Sequence, residues 1–447
     1  MHKLFSGNTK LSAAAIVSAA AGGCSSAEKE NAAAVGVSPT GSDKIKVALV
    51  GCGGRGNAAL TNMIDADQNI EIVALGDVFP EQLELCRKTV REFVEKKYPN
   101  KFKDIWKVSP ETSFVGLDAV DKVLTTDADV VALATPPIFR PYYIEKCLKA
   151  KKHVFAEKPI AVDAAGLRKI YNELIPLADK EKLNVVCGTQ MRYQPALIEA
   201  IDRIRGGHIG DVVAGVFYRH VGRYLMGQTA TKANRPLQPD DVEYQLRNWL
   251  GFRWTSGDLF VELFVHNLDI ALWAFGDQPV EVAGSGSRSW NIPAPQFGDR
   301  YSSIAAQFQF ASGATLSTSC IQEPNATPYM PLKVIGTKGV AELSFESQKI
   351  KGEKPWSAPS PAKQAIVAEH ETMFSAVRNG GHVNAMKTCA DSCFAAIAGR
   401  ESAYSGKRLK CKWITEKSQQ DWLPKNLSLD GKLPVQPVPN PVDYKLI

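Results

Sequence analysis

The stretch VALVGCGGRGNAALTNMI, from Val47 to Ile64, runs from an apolar segment directly into a glycine-rich turn. Gly51, Gly53 and Gly56 fit the spacing G-x-G-x-x-G at the point where a predicted strand is followed by a predicted helix. Glycine has no Cβ, so it permits a tight turn and lets a ligand approach the backbone closely. The free N–H groups at the start of the helix favour a phosphate group. The stretch therefore predicts a dinucleotide-binding strand–turn–helix unit.

An acidic residue follows the glycine motif at the expected distance. Asp77 ends the next predicted strand, IEIVALGD, 21 residues after Gly56. A carboxylate at this position is typical of a group that binds the ribose hydroxyls and repels a 2′-phosphate. The sequence therefore predicts NAD as the cofactor and favours it over NADP. Further predicted cofactor-binding residues in the glycine turn and in the segment LATPP are Gly54, Arg55, Thr135 and Pro136.

From Lys44 onward, short β-branched segments alternate with helical patterns. The segments KIKVALVG, IEIVALGD, ADVVALATPP and KHVFAEKP read as strands, and a helical pattern separates each from the next. Such alternation predicts an α/β fold with a parallel sheet and right-handed crossovers. After Ile304, alternating apolar and polar residues in IAAQFQF, GATLSTSC and PLKVIG predict further strands.

The first 43 residues differ from the rest of the chain. Lys3 and Lys10 precede the small apolar residues of LSAAAIVSAAAGGC, a segment shorter than the about 20 residues that span a bilayer as a helix. This pattern predicts an export signal, followed by a linker that extends to residue 43. The residues before Cys24 resemble the lipobox of bacterial lipoproteins, with Ala21 in place of the usual leucine. We therefore expect a periplasmic or outer-membrane-anchored lipoprotein, or a cytoplasmic protein if the leader is not used.

Composition excludes several classes of partner. The 447 residues include 53 basic and 47 acidic side chains, a net charge of +6 without a basic run, which argues against nucleic acid as a ligand. The nine cysteines contain no CxxC pair, so neither structural zinc nor another metal site is predicted. The length suffices for two domains.

Four motifs together resemble one family of oxidoreductases. GCGGRG, ALGD, LATPP and above all AEKPIA, from Ala156 to Ala161, are similar to the glucose-fructose oxidoreductase and inositol dehydrogenase (Gfo/Idh/MocA) family, over about Lys44 to Trp413. The resemblance implies a Rossmann NAD-binding domain over residues 44–188. It also implies a C-terminal substrate-binding α/β domain with an open, mostly antiparallel sheet over residues 189–415. Residues 416–447 form a proline-spaced tail that is predicted to be extended.

The EKP motif supplies the first predicted catalytic residue. By resemblance, Glu157 and Lys158 belong to the cofactor site, and Lys158 contacts both the substrate and the nicotinamide. Lys158 also follows an apolar strand at the carboxyl end of the predicted parallel sheet, where ligands of such sheets bind. An ammonium group there can stabilise an alkoxide-like oxygen.

A second group of polar residues lies in SGDLFVELFVHNLDIALWAFGD. Its period predicts one helix that begins at Ser256 or Asp258 and ends near Gly276. Glu262, His266 and Asp269 would then share one stripe of that helix, each able to hydrogen-bond the next. By resemblance, His266 is the general base. Glu262 stands where the family usually has an aspartate, and we expect it to orient the imidazole.

Several residues are predicted to bind the substrate. The family often places an arginine or asparagine followed by an aromatic residue after the strand that ends near residue 187, which indicates Arg192 and Tyr193. Tyr218, Arg219 and His220 end the following predicted strand, and Asn267 and Asp269 flank the catalytic histidine on its helix.

The predicted function is an NAD-dependent oxidoreductase that acts on a secondary hydroxyl of a sugar, cyclitol or glycoside. One alternative is an NAD-dependent glycosidase that uses transient oxidation and elimination. The other is a non-catalytic sugar-sensing protein. The expected partners are a small carbohydrate and further copies of the same chain, with a membrane contacted only through the lipid anchor.

Overall fold

The computed structural model describes residues 44–222, 236–289, 292, 294–344, 347–358 and 364–447. The predicted export signal, the linker and Cys24 lie outside these residues. Within the described ranges, no helix combines the length and the apolar character that crossing a bilayer requires. Two β-sheets organise the described chain.

The first sheet is parallel and has six strands in the order β3-β2-β1-β4-β5-β6. The chain moves outward from β1 in one direction and from β4 in the other, which leaves a crevice at the carboxyl ends of these two strands. Both faces of the sheet are covered, so its strands are continuous apolar segments. The strands are β1 Ile45–Val50, β2 Ile70–Asp77, β3 Ser113–Val115, β4 Val130–Leu133, β5 His153–Ala156 and β6 Val185–Cys187.

Helices connect these strands, as the alternating pattern predicts. A π-helical turn at Ile170–Leu174 joins α6 and α7 into one helical stretch. Short 3-10 turns lie at Pro99–Lys101, Pro110–Thr112, Pro137–Phe139 and Gln190–Tyr193. The helices are α1 Gly54–Ala66, α2 Pro80–Lys97, α3 Phe102–Ile105, α4 Ala119–Val123, α5 Arg140–Lys149, α6 Ala164–Lys169 and α7 Ile175–Glu181.

The second sheet has nine strands in the order β14-β13-β12-β11-β7-β10-β9-β8-β15 within the described residues. Its strands pair antiparallel except for β7 with β10. This arrangement confirms the predicted fold class. The strands are β7 Val212–Val221, β8 Pro279–Ser287, β9 Ser303–Phe310, β10 Thr315–Gln322, β11 Leu332–Gly336, β12 Gly339–Leu343, β13 Gln348–Gly352, β14 Trp356–Ser357 and β15 Leu409–Lys410.

One late helix returns to the first sheet. Met373 and Phe374 of α13 are buried in the same apolar cluster as Leu60 of α1 and Phe155 of β5, whereas α14 packs on β8, β9 and α12. The cofactor half of the molecule therefore uses residues from near the end of the chain. The helices are α8 Pro195–Arg205, α9 Val242–Arg247, α10 Arg253–Ser256, α11 Asp258–Glu262, α12 Val265–Phe275, α13 Ala365–Arg378, α14 Met386–Ser405 and α15 Trp413–Glu416, with a 3-10 turn at Trp249–Gly251.

The prediction of one continuous helix from residue 256 or 258 to residue 276 is wrong. Gly257 and Asp258 have positive φ angles of 77° and 75°, which separate α10 from α11, and a turn at residues 263–264 separates α11 from α12. The buried Asp258 carboxylate accepts hydrogen bonds from the Tyr301 backbone N–H, at 2.8 Å, and from the Tyr404 hydroxyl. These distant partners fix Asp258 in a conformation that a helix does not have.

The C-terminal tail lies across its own chain. The Leu433 N–H donates to the Asp240 carbonyl oxygen at 2.7 Å, and the Tyr301 hydroxyl donates to the Pro439 carbonyl oxygen at 2.9 Å. At the end of the tail, the Ser418 hydroxyl donates to the carbonyl oxygen of Ile447 at 2.7 Å. The tail thus contacts the segment before α9 and the segment just before β9.

Candidate active site

The glycines of the turn after β1 have two different tasks. Gly51 has a φ of +99°, and a β-carbon there would lie 2.6 Å from the carbonyl carbon of Ala134. A β-carbon at Gly56 would lie 1.9 Å from the Gly51 oxygen. At Gly53 and Gly54, by contrast, a β-carbon would meet no atom within 4 Å. Gly51 and Gly56 therefore make the turn and its packing possible, whereas Gly53 and Gly54 border open space.

That open space is a cavity of about 270 Å³ at the carboxyl ends of β1, β2 and β4. The hydroxyl oxygen of Thr135 is buried and has no hydrogen-bond partner among the described residues. An unpartnered buried hydroxyl and a bare glycine backbone fit a polar ligand that would lie along the turn. The predicted cofactor residues that line the cavity are Gly51, Gly53, Gly54, Asp77, Thr135 and Pro136.

Asp77 is held firmly at the wall of this cavity. Its carboxylate accepts hydrogen bonds from the backbone N–H groups of Cys52, at 2.6 Å, and Phe79, at 2.8 Å. Burial raises the pKa of Asp77, and the two backbone hydrogen bonds oppose this rise. The fixed carboxylate can accept hydrogen bonds from ribose hydroxyls, as the sequence predicts.

Arg55 and Glu157 bind each other beside the cavity. The Arg55 Nε donates to Glu157, and its Nη2 lies 3.4 Å from an oxygen of Glu369 on α13. Neither Arg55, Gly56, Glu157 nor Lys158 lines the cavity itself. Arg55 therefore links the glycine turn to the residue before Lys158, and its expected contact with the cofactor stays a prediction.

Glu369 is a buried carboxyl group that sequence reasoning missed. Burial and the nearby charge of Glu157 raise its pKa well above the usual value, although Arg55 acts in the opposite direction. Its second oxygen has no hydrogen-bond partner among the described residues. The single guanidinium of Arg55 thus serves two carboxyl groups, and we expect Glu369 to be the protonated one. A glutamate on a helix near residue 370 gives no indication of this partnership in the sequence.

Lys158 and Glu262 form an ion pair in the cleft between the two sheets. The Lys158 ammonium donates to the Glu262 carboxylate at 2.9 Å and to the Glu262 carbonyl oxygen at 2.6 Å. The two side chains are only 13% and 17% exposed. Burial acts to raise the pKa of Glu262, but the Lys158 ammonium outweighs it, so the pKa is lowered. Glu262 therefore carries its negative charge in this ion pair.

This pairing corrects the expected role of Glu262. Within the described part of the chain, no hydrogen bond joins Glu262 to His266, because the turn at residues 263–264 ends the helix between them. Glu262 instead positions Lys158, a residue 104 positions earlier in the chain.

His266 lies in the first turn of α12 and is 9% exposed. Burial lowers its pKa well below 6.5, and the positive charges of Lys158, Arg219 and Arg55 lower it further. The imidazole is therefore neutral near pH 7 and able to accept a proton. Because the Lys158 ammonium binds the carbonyl oxygen of Glu262, four residues before His266, the structure brings the predicted amine and imidazole into one region.

Only one of the three candidates at the end of β7 faces this site. Arg219 Nη1 lies 3.5 Å from the carbonyl oxygen of Leu263, between α11 and α12. Tyr218 and His220 point to the opposite face of the sheet, because successive side chains of a strand alternate. There their rings stack at 5.6 Å, and His220 Nε2 lies 2.8 Å from the Ser319 hydroxyl. The expected contact of Tyr218 and His220 with substrate is therefore wrong.

Arg192 and Asp269 are bound to each other. Arg192 Nε lies 2.9 Å from both Asp269 oxygens, and the Ser392 hydroxyl donates to the same carboxylate at 2.8 Å. Asp269 is 1% exposed, so it ties α12 to α14 and to the turn at residues 190–193. This corrects the expected role of Asp269 in substrate binding and its expected hydrogen bond to His266.

The two remaining predicted substrate-binding residues, Tyr193 and Asn267, have different surroundings. Tyr193 is buried in the apolar cluster of the first sheet, which argues against a contact with substrate. Asn267 follows His266, and its amide Nδ2 lies 3.5 Å from the Tyr218 carbonyl oxygen. The side-chain oxygen of Asn267 is buried without a hydrogen-bond partner among the described residues, and its expected contact with substrate stays a prediction.

Arg140 is a further residue that sequence reasoning missed. Its buried guanidinium donates to the carbonyl oxygens of Pro159 and Thr135, each at 2.7 Å. Arg140 thus joins the loop after β4, which lines the cavity, to the loop that carries Lys158. Burial lowers the pKa of Arg140 to about 10, although Glu157 and Glu262 oppose this effect.

Comparison with known proteins gives two family matches. Residues 45–187 match the GFO/IDH/MocA model described as "Oxidoreductase family, NAD-binding Rossmann fold". Residues 199–342 match the model of the GFO/IDH/MocA C-terminal domain. The two matches cover the cavity and the Lys158–Glu262 pair.

Individual relatives are more distant. An inositol 2-dehydrogenase of Rhizobium meliloti is 25% identical over 233 residues, which are 52% of this chain and 61% of the relative. The match thus spans less than two thirds of that relative's length. A scyllo-inositol 2-dehydrogenase (NAD(+)) of Bacillus subtilis is 23% identical over 301 residues, which are 66% of this chain and 72% of the relative.

A solved structure shows the same fold. The aldose-aldose oxidoreductase from Caulobacter crescentus, crystallised in complex with glycerol, superposes with a TM-score of 0.60 at 21% sequence identity. The superposition covers 82% of this chain and 99% of that chain.

Proposed function

Because this chain belongs to the GFO/IDH/MocA family of oxidoreductases, we propose that it is an NAD-dependent oxidoreductase that acts on a secondary hydroxyl group. The proposed substrate class is a sugar, cyclitol or glycoside. Two relatives whose names identify them as inositol dehydrogenases support this class.

The observation that supports the proposal most is the convergence of Lys158 and His266. The Lys158 ammonium is held by Glu262 at 2.9 Å, and the neighbouring imidazole is kept neutral by burial and by positive charges. A hydrogen-bond donor with a positive charge next to a neutral base is the arrangement that oxidation of an alcohol requires.

Each residue has a defined part in this reaction. His266 accepts the proton of the substrate hydroxyl and passes it to solvent, while Lys158 donates a hydrogen bond to the oxygen as it becomes a carbonyl. Glu262 keeps the ammonium in place. NAD, when bound, supplies the acceptor for the hydride that leaves the same carbon. The products are then a ketone, a reduced nicotinamide and one proton.

The residues of the cavity would hold the dinucleotide. The backbone of Gly53 and Gly54 and the Thr135 hydroxyl would face it, and Asp77 would bind the ribose hydroxyls. A 2′-phosphate would meet the Asp77 carboxylate, which supports NAD rather than NADP.

The function can be tested with the full-length protein, NAD and a panel of inositols, sugars and glycosides. We expect reduced nicotinamide to accumulate with at least one substrate, and Lys158→Ala to abolish this accumulation. Lys122→Ala, a change at a surface ion pair with Asp118, serves as the control. Release of aglycone without accumulation of reduced nicotinamide would instead establish the glycosidase. Absence of any turnover, together with a Lys158→Ala variant that keeps its biological activity, would favour a sugar sensor.

We also propose that the protein is exported and carries a lipid on Cys24. The support is the sequence alone: two lysines, a short apolar segment and small residues before the cysteine. Mass spectrometry of the N-terminal peptide from the native host tests this proposal. A lipidated Cys24 at the mature N-terminus is expected, and a chain that retains Met1 with a free thiol at Cys24 would contradict it.

A further inference from the structure

One wall of the cofactor cavity comes from the second half of the chain. Leu246, Arg247 and Trp249 line the same cavity as Asp77 and Phe79. They belong to α9 and to the 3-10 turn that follows it, whereas Asp77 ends β2 and Phe79 lies just before α2. We call residues 242–251 the cavity cover. The cover lies over the part of the cavity where the Asp77 carboxylate is fixed.

Arg247 fastens the cover to the start of α2. Its side chain is 7% exposed, and its guanidinium carbon lies 3.9 Å from the centroid of the Phe79 ring. Arg247 also donates to the carboxylate of Glu81 and, at 2.9 Å, to that of Glu243 within α9. Separating a mostly buried guanidinium from both a carboxylate and an aromatic face costs free energy. The cover therefore has a specific closed position.

The C-terminal tail supports the cover from the other side. The Val242 N–H donates to the Gly431 carbonyl oxygen at 3.1 Å. The Gln245 side-chain amide donates to the Leu433 carbonyl oxygen at 2.6 Å, and the Lys432 ammonium lies 3.0 Å from Asp241. Each end of α9 is thus held, one by the tail and the other by Arg247.

The charges at Arg247 indicate what the cover does. Glu81 and Glu243 both bind its guanidinium, so Arg247 is engaged by carboxylates next to a cavity whose wall already carries Asp77. Such a setting does not favour recognition of an additional phosphate. The geometry instead favours a mechanical role, in which the ion pair keeps the cavity wall closed.

We propose that Arg247 is a cofactor-retaining residue: its contacts with Phe79 and Glu81 keep the cavity cover closed and slow the release of the dinucleotide. The proposal rests on the proposed function, because it assumes that NAD binds in this cavity. It adds a part of the cofactor site that the glycine motif does not indicate, supplied by residues about 200 positions later in the chain.

The release rate of NADH tests this proposal directly. NADH bound to the full-length protein is displaced by excess NAD, and the change in its fluorescence is followed by stopped flow. We expect release about tenfold faster from Arg247→Ala, since the ion pair and the aromatic contact that join the cover to Glu81 and Phe79 are lost. A smaller acceleration is expected for Glu81→Gln. Arg91→Ala removes an exposed ion pair with Glu95 on the same helix α2 and should leave the rate unchanged.

Hydrogen exchange gives a second readout that needs no turnover. We expect the amides of residues 242–247 to exchange more slowly in the NADH complex than in the free protein, and Arg247→Lys to lose part of this protection. Because Arg247→Lys keeps the positive charge, it provides a second test if Arg247→Ala does not fold. NADH that binds but leaves at the same rate from Arg247→Ala, Arg247→Lys and Glu81→Gln as from the wild type would overturn the proposal. A wild-type protein that binds no NADH would overturn the proposed function and the role of the cover together.

Discussion

The cofactor cavity and the Lys158–Glu262–His266 site are neighbours, but they are built differently. The part of the cavity at the glycine turn is backbone from one short contiguous stretch, Gly51 to Gly54 after β1, although Leu246, Arg247 and Trp249 complete another wall. The catalytic site is made of side chains from segments as far apart as Lys158 and His266, which are 108 residues apart. A backbone site is specified by local sequence, whereas a side-chain site depends on which partners the tertiary fold brings together.

The largest effect is expected at the catalytic site. His266→Asn should lower kcat by roughly a thousandfold, because a general base contributes about 10²–10⁴ in rate. Binding of NADH should remain, since His266 does not line the cavity. Steady-state kinetics and NADH titration check this result, with His382→Asn, a partly exposed histidine paired with Asp179, as the control. Equal losses in kcat and NADH affinity would show that the two regions are not separable.

The pH dependence of kcat/KM tests the assignment of His266 as the general base. The pKa of His266 is lowered well below 6.5, so the neutral base persists as the pH falls through 6.5. The acid limb of the profile of kcat/KM should therefore lie below pH 6.5. A limb above that value would contradict the assignment of His266 as the base.

In the cofactor cavity, alanine substitutions in the glycine turn should act through the backbone. A β-carbon at Gly56 would lie 1.9 Å from the Gly51 oxygen, so Gly56→Ala should lower the free energy of unfolding by about 2–4 kcal/mol. Gly53→Ala meets no atom within 4 Å and should change it by less than about 0.5 kcal/mol. Gly53→Ala should nevertheless weaken NADH binding. Chemical denaturation and NADH titration of both variants test this difference between Gly56 and Gly53. Equal losses in the free energy of unfolding for the two alanine variants would contradict it.

Replacing Glu262 should lower catalysis less than replacing His266, because Glu262 acts through Lys158. Glu262→Gln keeps the shape of the side chain and removes its charge, and we expect kcat to fall by about 10–100-fold. Glu262→Asp, which restores the charge, should recover part of the loss. If the glutamine variant retained full kcat, the ion pair would have no part in positioning the ammonium.

The smallest effect is expected at Glu369, where the two regions meet through Arg55. Its pKa is raised above 4.5 in the folded protein, so its contribution to stability is complete below pH 4.5 and is lost as the pH rises toward the raised value. Glu369→Gln removes that loss and should therefore raise the free energy of unfolding at pH 7 relative to the wild type. Denaturation at two pH values checks this, with the exposed Glu95→Gln as the control. A destabilised variant at pH 7 would contradict a protonated Glu369.

The sequence predicted what local rules determine. The strands of the first sheet, the glycine turn and Asp77 follow from apolar segments, from the absence of a β-carbon and from spacing. The wrong helix at residues 256–276 arose because the apolar period continues through Asp258, whose conformation is fixed by Tyr301 and Tyr404.

Other predictions were wrong or missing because they depend on contacts between elements, which the sequence of one strand or helix does not contain. The alternation along β7 predicts that Arg219 faces away from Tyr218 and His220, but only the packing of α12 shows which side is the site. Glu262 and His266 were both identified by sequence, yet their partners were not, because pairing depends on the turn at residues 263–264. Arg247 carries no motif and is recognised only by its contacts with Phe79 and Glu81.

A crystal structure of the full-length protein with NAD and a bound polyol would test the central claim most directly. We expect the dinucleotide to lie along Gly53 and Gly54, with the nicotinamide and one secondary hydroxyl of the polyol within reach of both Lys158 Nζ and the His266 ring. A nicotinamide outside the cleft, or a hydroxyl that contacts neither Lys158 nor His266, would contradict it.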